Sequence, residues 1–165
     1  MNYTDITFIL ELGIYDTLLL DRDGVINQYR PNDYVKTWDE FAFIPEFLEA
    51  IPQWSKLVKR IVIVTNQRGI SKGLFTEEDL QEIHQRMIQE IERNGGRIDK
   101  IYHCTALSNS DPNRKPQTGM FRQMLKDFPE VIPGRCLMVG DAMSDMQFAS
   151  NCGIAGILIN EHPTT

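Results

Sequence analysis

Five short apolar runs punctuate the chain, and each stops at a polar residue or glycine. Thr17 to Leu20 runs into Asp-Arg-Asp-Gly, Ile61 to Val64 into Thr-Asn-Gln, and Cys136 to Val139 into Gly-Asp, while Ile98 to Cys104 and Ile154 to Ile159 are the other two. Runs this short, bounded in this way, suit buried parallel strands better than helices. The stretches between them carry helical periodicity. Leu80, Ile83, Met87, Ile88 and Ile91 fall on one stripe of a helix from Thr76 to Arg93, opened by Thr76 and Asp79 and stopped by Gly95-Gly96. A second helix is expected from Glu46 to about Val58, with Pro52 kinking or restarting it. Two more are expected from Gly119 to Lys126 and from Ser144 to Asn151, the last closed by Gly153.

The order β-α-β-α-β-α-β-α-β predicts an α/β fold: a three-layer, Rossmann-like parallel sheet with helices on both faces. A length of 165 residues fits one domain, 1–165. Residues 1–14 fit the alternation poorly. Ile6, Phe8, Leu10, Leu12 and Ile14 alternate as an extra N-terminal edge strand does.

Composition excludes several classes. With 23 acidic and 17 basic side chains the net charge is −6, which disfavours nucleic acid as a partner, since phosphate polymers are held mainly by Lys and Arg. No run approaches the roughly 18 apolar residues of a membrane span. Asp5 and Glu11 stand where a signal peptide needs a basic start and an apolar core. Cys104, Cys136 and Cys152 form no C-x-x-C pair, so neither a disulfide framework nor a thiolate metal site is indicated. These features predict a cytoplasmic protein.

In an open parallel sheet, ligands bind outside the carboxyl ends of the strands. Asp21 and Asp23 follow the first run, Thr65 and Asn66 the second, and Asp141 and Asp145 the fourth. Residues two apart in an extended segment face one way, so Asp21 and Asp23 can share a centre, and Gly24 permits a sharp turn. Taken alone, Asp-x-Asp-Gly also reads as a solvated turn. With Asp141 added, the converging carboxylates repel unless a cation or proton lies between them, and an all-oxygen set suits Mg²⁺. A cation there implies an anionic substrate. Thr65, Asn66 and Lys115 supply donors and a point charge for phosphoryl oxygens.

The segments Leu-Leu-Leu-Asp-Arg-Asp-Gly-Val-Ile-Asn (18–27), Val-Thr-Asn-Gln-Arg-Gly-Ile-Ser-Lys-Gly (64–73), Arg-Lys-Pro (114–116) and Val-Gly-Asp-Ala-Met-Ser-Asp-Met (139–146) resemble the motifs of the haloacid dehalogenase superfamily of phosphatases. They are most similar to the branch holding heptose 1,7-bisphosphate and histidinol-phosphate phosphatases. The resemblance implies that Asp21 is the nucleophile and Asp23 the general acid and base, a role that asks for a raised pKa. It implies Mg²⁺ held by Asp21, the Asp23 carbonyl and Asp141, with Asp145 orienting that set from behind. Thr65, Asn66 and Lys115 then hold the phosphoryl group, and Gln67, Arg68 and Arg114 contact substrate. Tyr34 matches a tyrosine of the heptose branch and is expected near the sugar.

That branch also carries a zinc loop, Cys-x-His followed by Cys-x-Cys, before Arg-Lys-Pro. Here only Cys104 matches and Asp111 and Asn113 replace the cysteine pair, so no zinc is predicted. The intervals from Asp23 to Thr65 and from Thr65 to Lys115 leave no room for a cap domain, so the core is expected to be capless. An open site of that kind needs an extended substrate or a neighbouring subunit to exclude water.

The expected substrate is a small phosphorylated metabolite. D-glycero-D-manno-heptose 1,7-bisphosphate ranks first, then histidinol phosphate, with polynucleotide 3′-phosphatase and a non-enzymatic phosphate-sensing module as alternatives. Arg68 and Lys72, with Arg114 and Lys115, are read either as solvated loop charges or as a seat for a second phosphate. His84 is expected to pack on its helix, His103 to have no role, and Trp38, Phe41 and Phe43 to fold their loop onto the core.

Overall fold

The computed structural model describes residues 1–162. Five parallel strands form one sheet: β1 (Thr17–Leu20), β2 (Arg60–Asn66), β3 (Lys100–Cys104), β4 (Cys136–Gly140) and β5 (Ala155–Leu158), in the order β3-β2-β1-β4-β5. Alternate strand residues face opposite ways, and each face finds its own helices. Leu18, Leu20, Ile61, Ile63, Leu137 and Val139 pack against α1 (Tyr3–Glu11), α2 (Pro45–Leu57) and α3 (Glu77–Arg93). Leu19, Val62, Val64, Cys136 and Met138 pack on the other face against α4 (Gly119–Asp127) and α5 (Met143–Cys152). The three-layer α/β architecture is therefore as expected.

The N-terminal edge strand is not. Residues 3–11 form a helix, capped by Asn2, whose side chain accepts from the Asp5 amide while the Asp5 carboxylate accepts from the Asn2 amide. The alternation misled because half of it is exposed: Phe8, Leu12 and Ile14 face solvent, while Tyr3, Ile6 and Leu10 form a buried helical stripe. This stripe lies on α2, where the Tyr3 and Trp54 rings stack at 5.9 Å and Trp54 Nε1 donates to Thr7 Oγ1 at 2.8 Å.

Pro52 neither breaks nor restarts α2, which begins at Pro45 and runs on through it. Burial of Phe47, Ile51 and Trp54 on one face outweighs the single backbone bond that a proline removes. The cap expected on α3 is present, with Thr76 and Asp79 bonding reciprocally.

Candidate active site

From β1 the chain builds β2 and β3 on one side, then crosses back to place β4 and β5 on the other. The crevice between the carboxyl ends of β1 and β4 is thus the switch point where such sheets bind ligands. Leu20 is in register with Val139, so the residues just beyond them are neighbours, and the Asp21 amide donates to the Val139 carbonyl at 3.0 Å. The register sets Asp21 beside Gly140, and Asp141, the next residue, leaves β4 at the same sheet edge.

The loop after β1 is very tight: the amides of Val25, Ile26 and Asn27 all point at the Arg22 carbonyl. Gly24 adopts φ +87°, and a Cβ there would lie 1.7 Å from Asp141 Oδ2. Only glycine lets the loop close against that carboxylate.

Carboxylate oxygens of Asp21, Asp141 and Asp145 all lie within 4.8 Å of one another, an arrangement that fits a hard divalent cation. Lys115 enters from the opposite side. Its Nζ donates to Asp21 Oδ1 at 2.9 Å and to Asp145 Oδ1 at 2.7 Å. The second oxygen of Asp145 accepts from the amides of Asp141 and Ala142, so both its oxygens are engaged. Asn66 fixes the lysine backbone: Lys115 N donates to Asn66 Oδ1 at 3.0 Å and Asn66 Nδ2 donates back to Lys115 O at 3.1 Å. The Lys115–Pro116 peptide is cis.

Burial, then the charge of Asp145, pushes the Asp21 carboxyl well above its ordinary value, with Lys115 pulling it down. Asp141 is likewise pushed up to about 7, chiefly by burial. Burial pulls Lys115 down, but the charges of Asp145 and Asp21 outweigh it and raise the ammonium pKa. The cluster is short of positive charge.

Asp23 departs from expectation. Its Oδ1 accepts from Arg22 Nη2 and Asn27 Nδ2, each at 2.8 Å, and its Oδ2 accepts from Gln67 Nε2 at 3.0 Å. Burial raises its pKa, yet the Arg22 charge and the bonds from Asn27, Arg22 and Gln67 outweigh burial and hold it below the ordinary range. A raised pKa is thus not what these surroundings supply at rest.

Asp21, Asp23, Asn66, Lys115, Asp141 and Asp145 line one cleft of about 190 Å³, and Tyr34 stands at its edge. Thr65 and Gln67 are brought to it but lie beneath its floor. Each is only 1% exposed, and Gln67 Nε2 bonds Thr65 Oγ1 at 2.9 Å as well as Asp23. Arg68, Lys72 and Arg114 line an adjoining pocket of about 340 Å³ that shares Tyr34 and Asn66 with the cleft. Asn109 Oδ1 accepts from Arg68 Nη2 at 2.8 Å and Arg114 Nε at 3.2 Å, drawing the loop 105–113 over these arginines. Asp111 tightens the same loop by accepting from the Asn113 amide at 2.9 Å. Burial, then the nearby Arg68 charge, lowers the Arg114 pKa. Arg68 Nε and Arg114 Nη1 are buried with no hydrogen-bond partner among the described residues.

Two residues close to this chemistry escaped the sequence reading. Arg22 is fully buried, with its guanidinium bonded to Asp23 and to His84 Nε2 at 3.1 Å and lying over the Phe41 ring. The period-two signal that paired Asp21 with Asp23 sends Arg22 to the other face, where only the contact with α3 reveals it. The other is His162, whose Nε2 lies 2.5 Å from Asp141 Oδ2, within hydrogen-bond distance. No sequence pattern marks it. Among the remaining expectations, Trp38 stacks on Phe41 and both meet Phe43 edge-on against the core, His84 is buried, and His103 bonds Glu77 at 2.9 Å.

A family model described as polynucleotide kinase 3 phosphatase matches residues 11–157, nearly the whole chain. The chain belongs to this family, within the haloacid dehalogenase superfamily of phosphatases. All four motif segments fall inside the matched range. A D-glycero-alpha-D-manno-heptose-1,7-bisphosphate 7-phosphatase of Mycobacterium bovis is 34% identical over 84% of this chain and 73% of its own. The D-glycero-beta-D-manno-heptose-1,7-bisphosphate 7-phosphatase of Rhodopseudomonas palustris is 36% identical over 83% of this chain and 79% of its own. In structure, the D,D-heptose 1,7-bisphosphate phosphatase of B. bronchiseptica, solved with magnesium and phosphate, superposes with a TM-score of 0.80 at 34% identity. That match covers 87% of this chain and 79% of the other.

Proposed function

We propose that this chain is a Mg²⁺-dependent phosphomonoesterase acting through an aspartyl-phosphate at Asp21, with D-glycero-D-manno-heptose 1,7-bisphosphate as its first-ranked substrate. The observation that carries the reading is the carboxylate triad Asp21, Asp141 and Asp145 at the switch point, bridged by Lys115. Lys115 engages one oxygen of Asp21 and neither of Asp141, which would leave these two to hold the cation, whereas Asp145 spends both oxygens on Lys115 and backbone amides. When bound, Mg²⁺ supplies the positive charge that the cluster lacks and that a phosphoryl group needs. We propose no zinc: Cys104 alone cannot furnish the site, and the loop 105–113 is drawn in by Asn109 and Asp111 instead.

The Asp21 carboxylate attacks phosphorus, the bond from phosphorus to the leaving oxygen breaks, and Asp23 gives that oxygen its proton. Water then attacks the phosphoryl group, Asp23 takes the water's proton, and the bond to Asp21 breaks. Asp23 starts ionised, so it must gain a proton as substrate arrives. An incoming phosphate beside it raises its pKa by like-charge repulsion. Lys115, anchored by Asn66, follows the charge as it builds on the phosphoryl oxygens.

The basic pocket beside the cleft supports a bisphosphate over a monophosphate, because Arg68, Lys72 and Arg114 line it together and give a second anion charged partners. We further propose one capless domain over residues 1–165, in the cytoplasm, in keeping with three free thiols and no helix among the described residues long and apolar enough to cross a membrane.

The second reading is a polynucleotide 3′-phosphatase, favoured by the description of the matching family. The net charge of −6 weighs against it, as do the named relatives. A phosphate-release panel of heptose bisphosphates, histidinol phosphate and 3′-phosphorylated oligonucleotides, each with and without chelator, decides. Chelator-sensitive turnover highest on the heptose bisphosphates is expected. Turnover confined to 3′-phosphorylated DNA and falling steeply with salt overturns the ranking.

A further inference from the structure

Beyond β5, residues 159–162 turn back toward the cleft. Ile159 N donates to the Gly140 carbonyl at 2.9 Å, and Asn160 takes a left-handed conformation with φ +50°. The Asn160 amide then donates to the Gly24 carbonyl and to Tyr3 Oη, each at 3.1 Å, and Tyr3 Oη donates to the Val25 carbonyl at 2.5 Å. One side chain thus ties together three separate segments: helix α1, the loop after β1 and the chain after β5.

Along this strap, His162 comes to the metal-side carboxylate. Its Nε2 faces Asp141 Oδ2 at 2.5 Å, and its ring stacks on Tyr29 with centroids 3.6 Å apart and planes 11° from parallel. Both rings line the cleft. Gly24 packs against the same Asp141 oxygen, so Oδ2 is confined between a glycine backbone and an imidazole. A carboxylate free to rotate presents either oxygen in any direction. One whose Oδ2 is held between two neighbours keeps a narrower range of orientations.

Resting on the magnesium reading above, we propose that His162 is a positioning residue, which orients the Asp141 carboxylate for the cation and does so because Asn160 and Tyr3 hold the strap in place. This assigns a task to α1 beyond its packing: its Tyr3 hydroxyl is one of the two anchors of Asn160. Partners of this kind, behind a ligating carboxylate, typically change metal affinity by 10–100-fold.

The test is direct Mg²⁺ binding to the full chain by calorimetry, read beside the Mg²⁺ dependence of phosphate release. His162→Ala is expected to weaken Mg²⁺ binding by about 10-fold. His162→Phe keeps the stacking on Tyr29 but has no N–H, and is expected to weaken it equally. His162→Gln restores a donor and recovers most of the loss, and Asn160→Ala, which loosens the strap, falls between. At limiting Mg²⁺, phosphate release in the four variants falls in step with their Mg²⁺ affinity, and raising Mg²⁺ recovers more of it than in the parent, since the defect lies in filling the site. Unchanged or tighter Mg²⁺ binding in His162→Phe overturns the proposal and makes the strap a competitor of the cation. A parent chain that binds no Mg²⁺ overturns the magnesium reading itself, and the inference with it.

Discussion

Replacing Lys115 with methionine keeps the length and apolar volume of the side chain and removes its charge. Three carboxylates whose oxygens lie within 4.8 Å of one another then share a buried site with no cation. At an effective dielectric constant of about 20, two unit charges at that spacing repel by roughly 3 kcal/mol. Removing one member of a buried ion pair typically costs about 3–5 kcal/mol. The two routes agree, so Lys115→Met in chelator is expected to lose about 3–5 kcal/mol of stability, which for a chain of this size lowers Tm by on the order of 10 °C. Saturating Mg²⁺ is expected to return a large part of that loss, because the cation takes over the neutralising role. The deficit also shrinks as pH falls toward 5: without lysine the carboxylates' folded pKa values rise further, so protonation relieves the repulsion there and the penalty grows as pH rises. Melts from pH 5 to 8, with EDTA and with Mg²⁺, read all three effects. A variant melting within about 2 °C of the parent in EDTA at pH 8 would refute the charge argument.

Other outcomes follow from the same geometry. Gly24→Ala puts a Cβ 1.7 Å from Asp141 Oδ2, so phosphatase activity is expected to fall by at least about 100-fold while the far-ultraviolet circular dichroism stays native. His84 is held neutral by burial and then by Arg22, its pKa pulled down to about 3. Because its folded pKa lies below the unfolded value of about 6.5, it favours folding above that pH and opposes it increasingly as pH falls toward 3. His84→Gln is therefore expected to flatten the acid side of the stability curve, by about 2–3 kcal/mol between pH 6.5 and 4.5, measured by urea titration. Arg68→Ala is expected to raise KM for a bisphosphate by about 10-fold and to leave a monophosphate unaffected, since one charge-assisted hydrogen bond is worth about 1.5–3 kcal/mol; equal effects on both remove the second-phosphate assignment.

Much of this was legible in the sequence because a parallel sheet converts one-dimensional information into position. Where an apolar run stops, the strand stops, and the polar residues that follow share one edge. Asp21 and Asp141 reach one edge by that rule, since Leu20 and Val139 are in register and Asp141 follows two residues later. What escaped depended on contacts that periodicity does not carry. Residues 6–14 satisfied the strand period, and only the Asn2–Asp5 cap and the Tyr3, Ile6, Leu10 spacing distinguished a helix. The low pKa of Asp23 needed Arg22, a residue that the strand pattern turns away from the site yet the fold buries against His84, 62 positions on. His162 and Asn160 lie beyond the last strand, in a segment with no pattern, and reach the cleft only because Asn160 adopts a left-handed turn.

A phosphoryl group that passes through Asp21 leaves an acyl phosphate on its carboxyl. Acid-quenched turnover with a phosphorylated sugar and Mg²⁺, followed by borohydride reduction and peptide mass spectrometry, reads this directly, because an acyl phosphate is reduced to the alcohol. Conversion of Asp21 to homoserine, absent with EDTA and absent in Asp21→Asn together with turnover, is the predicted result. Sustained turnover with Asp21 unmodified, or with the label on another carboxylate, contradicts it.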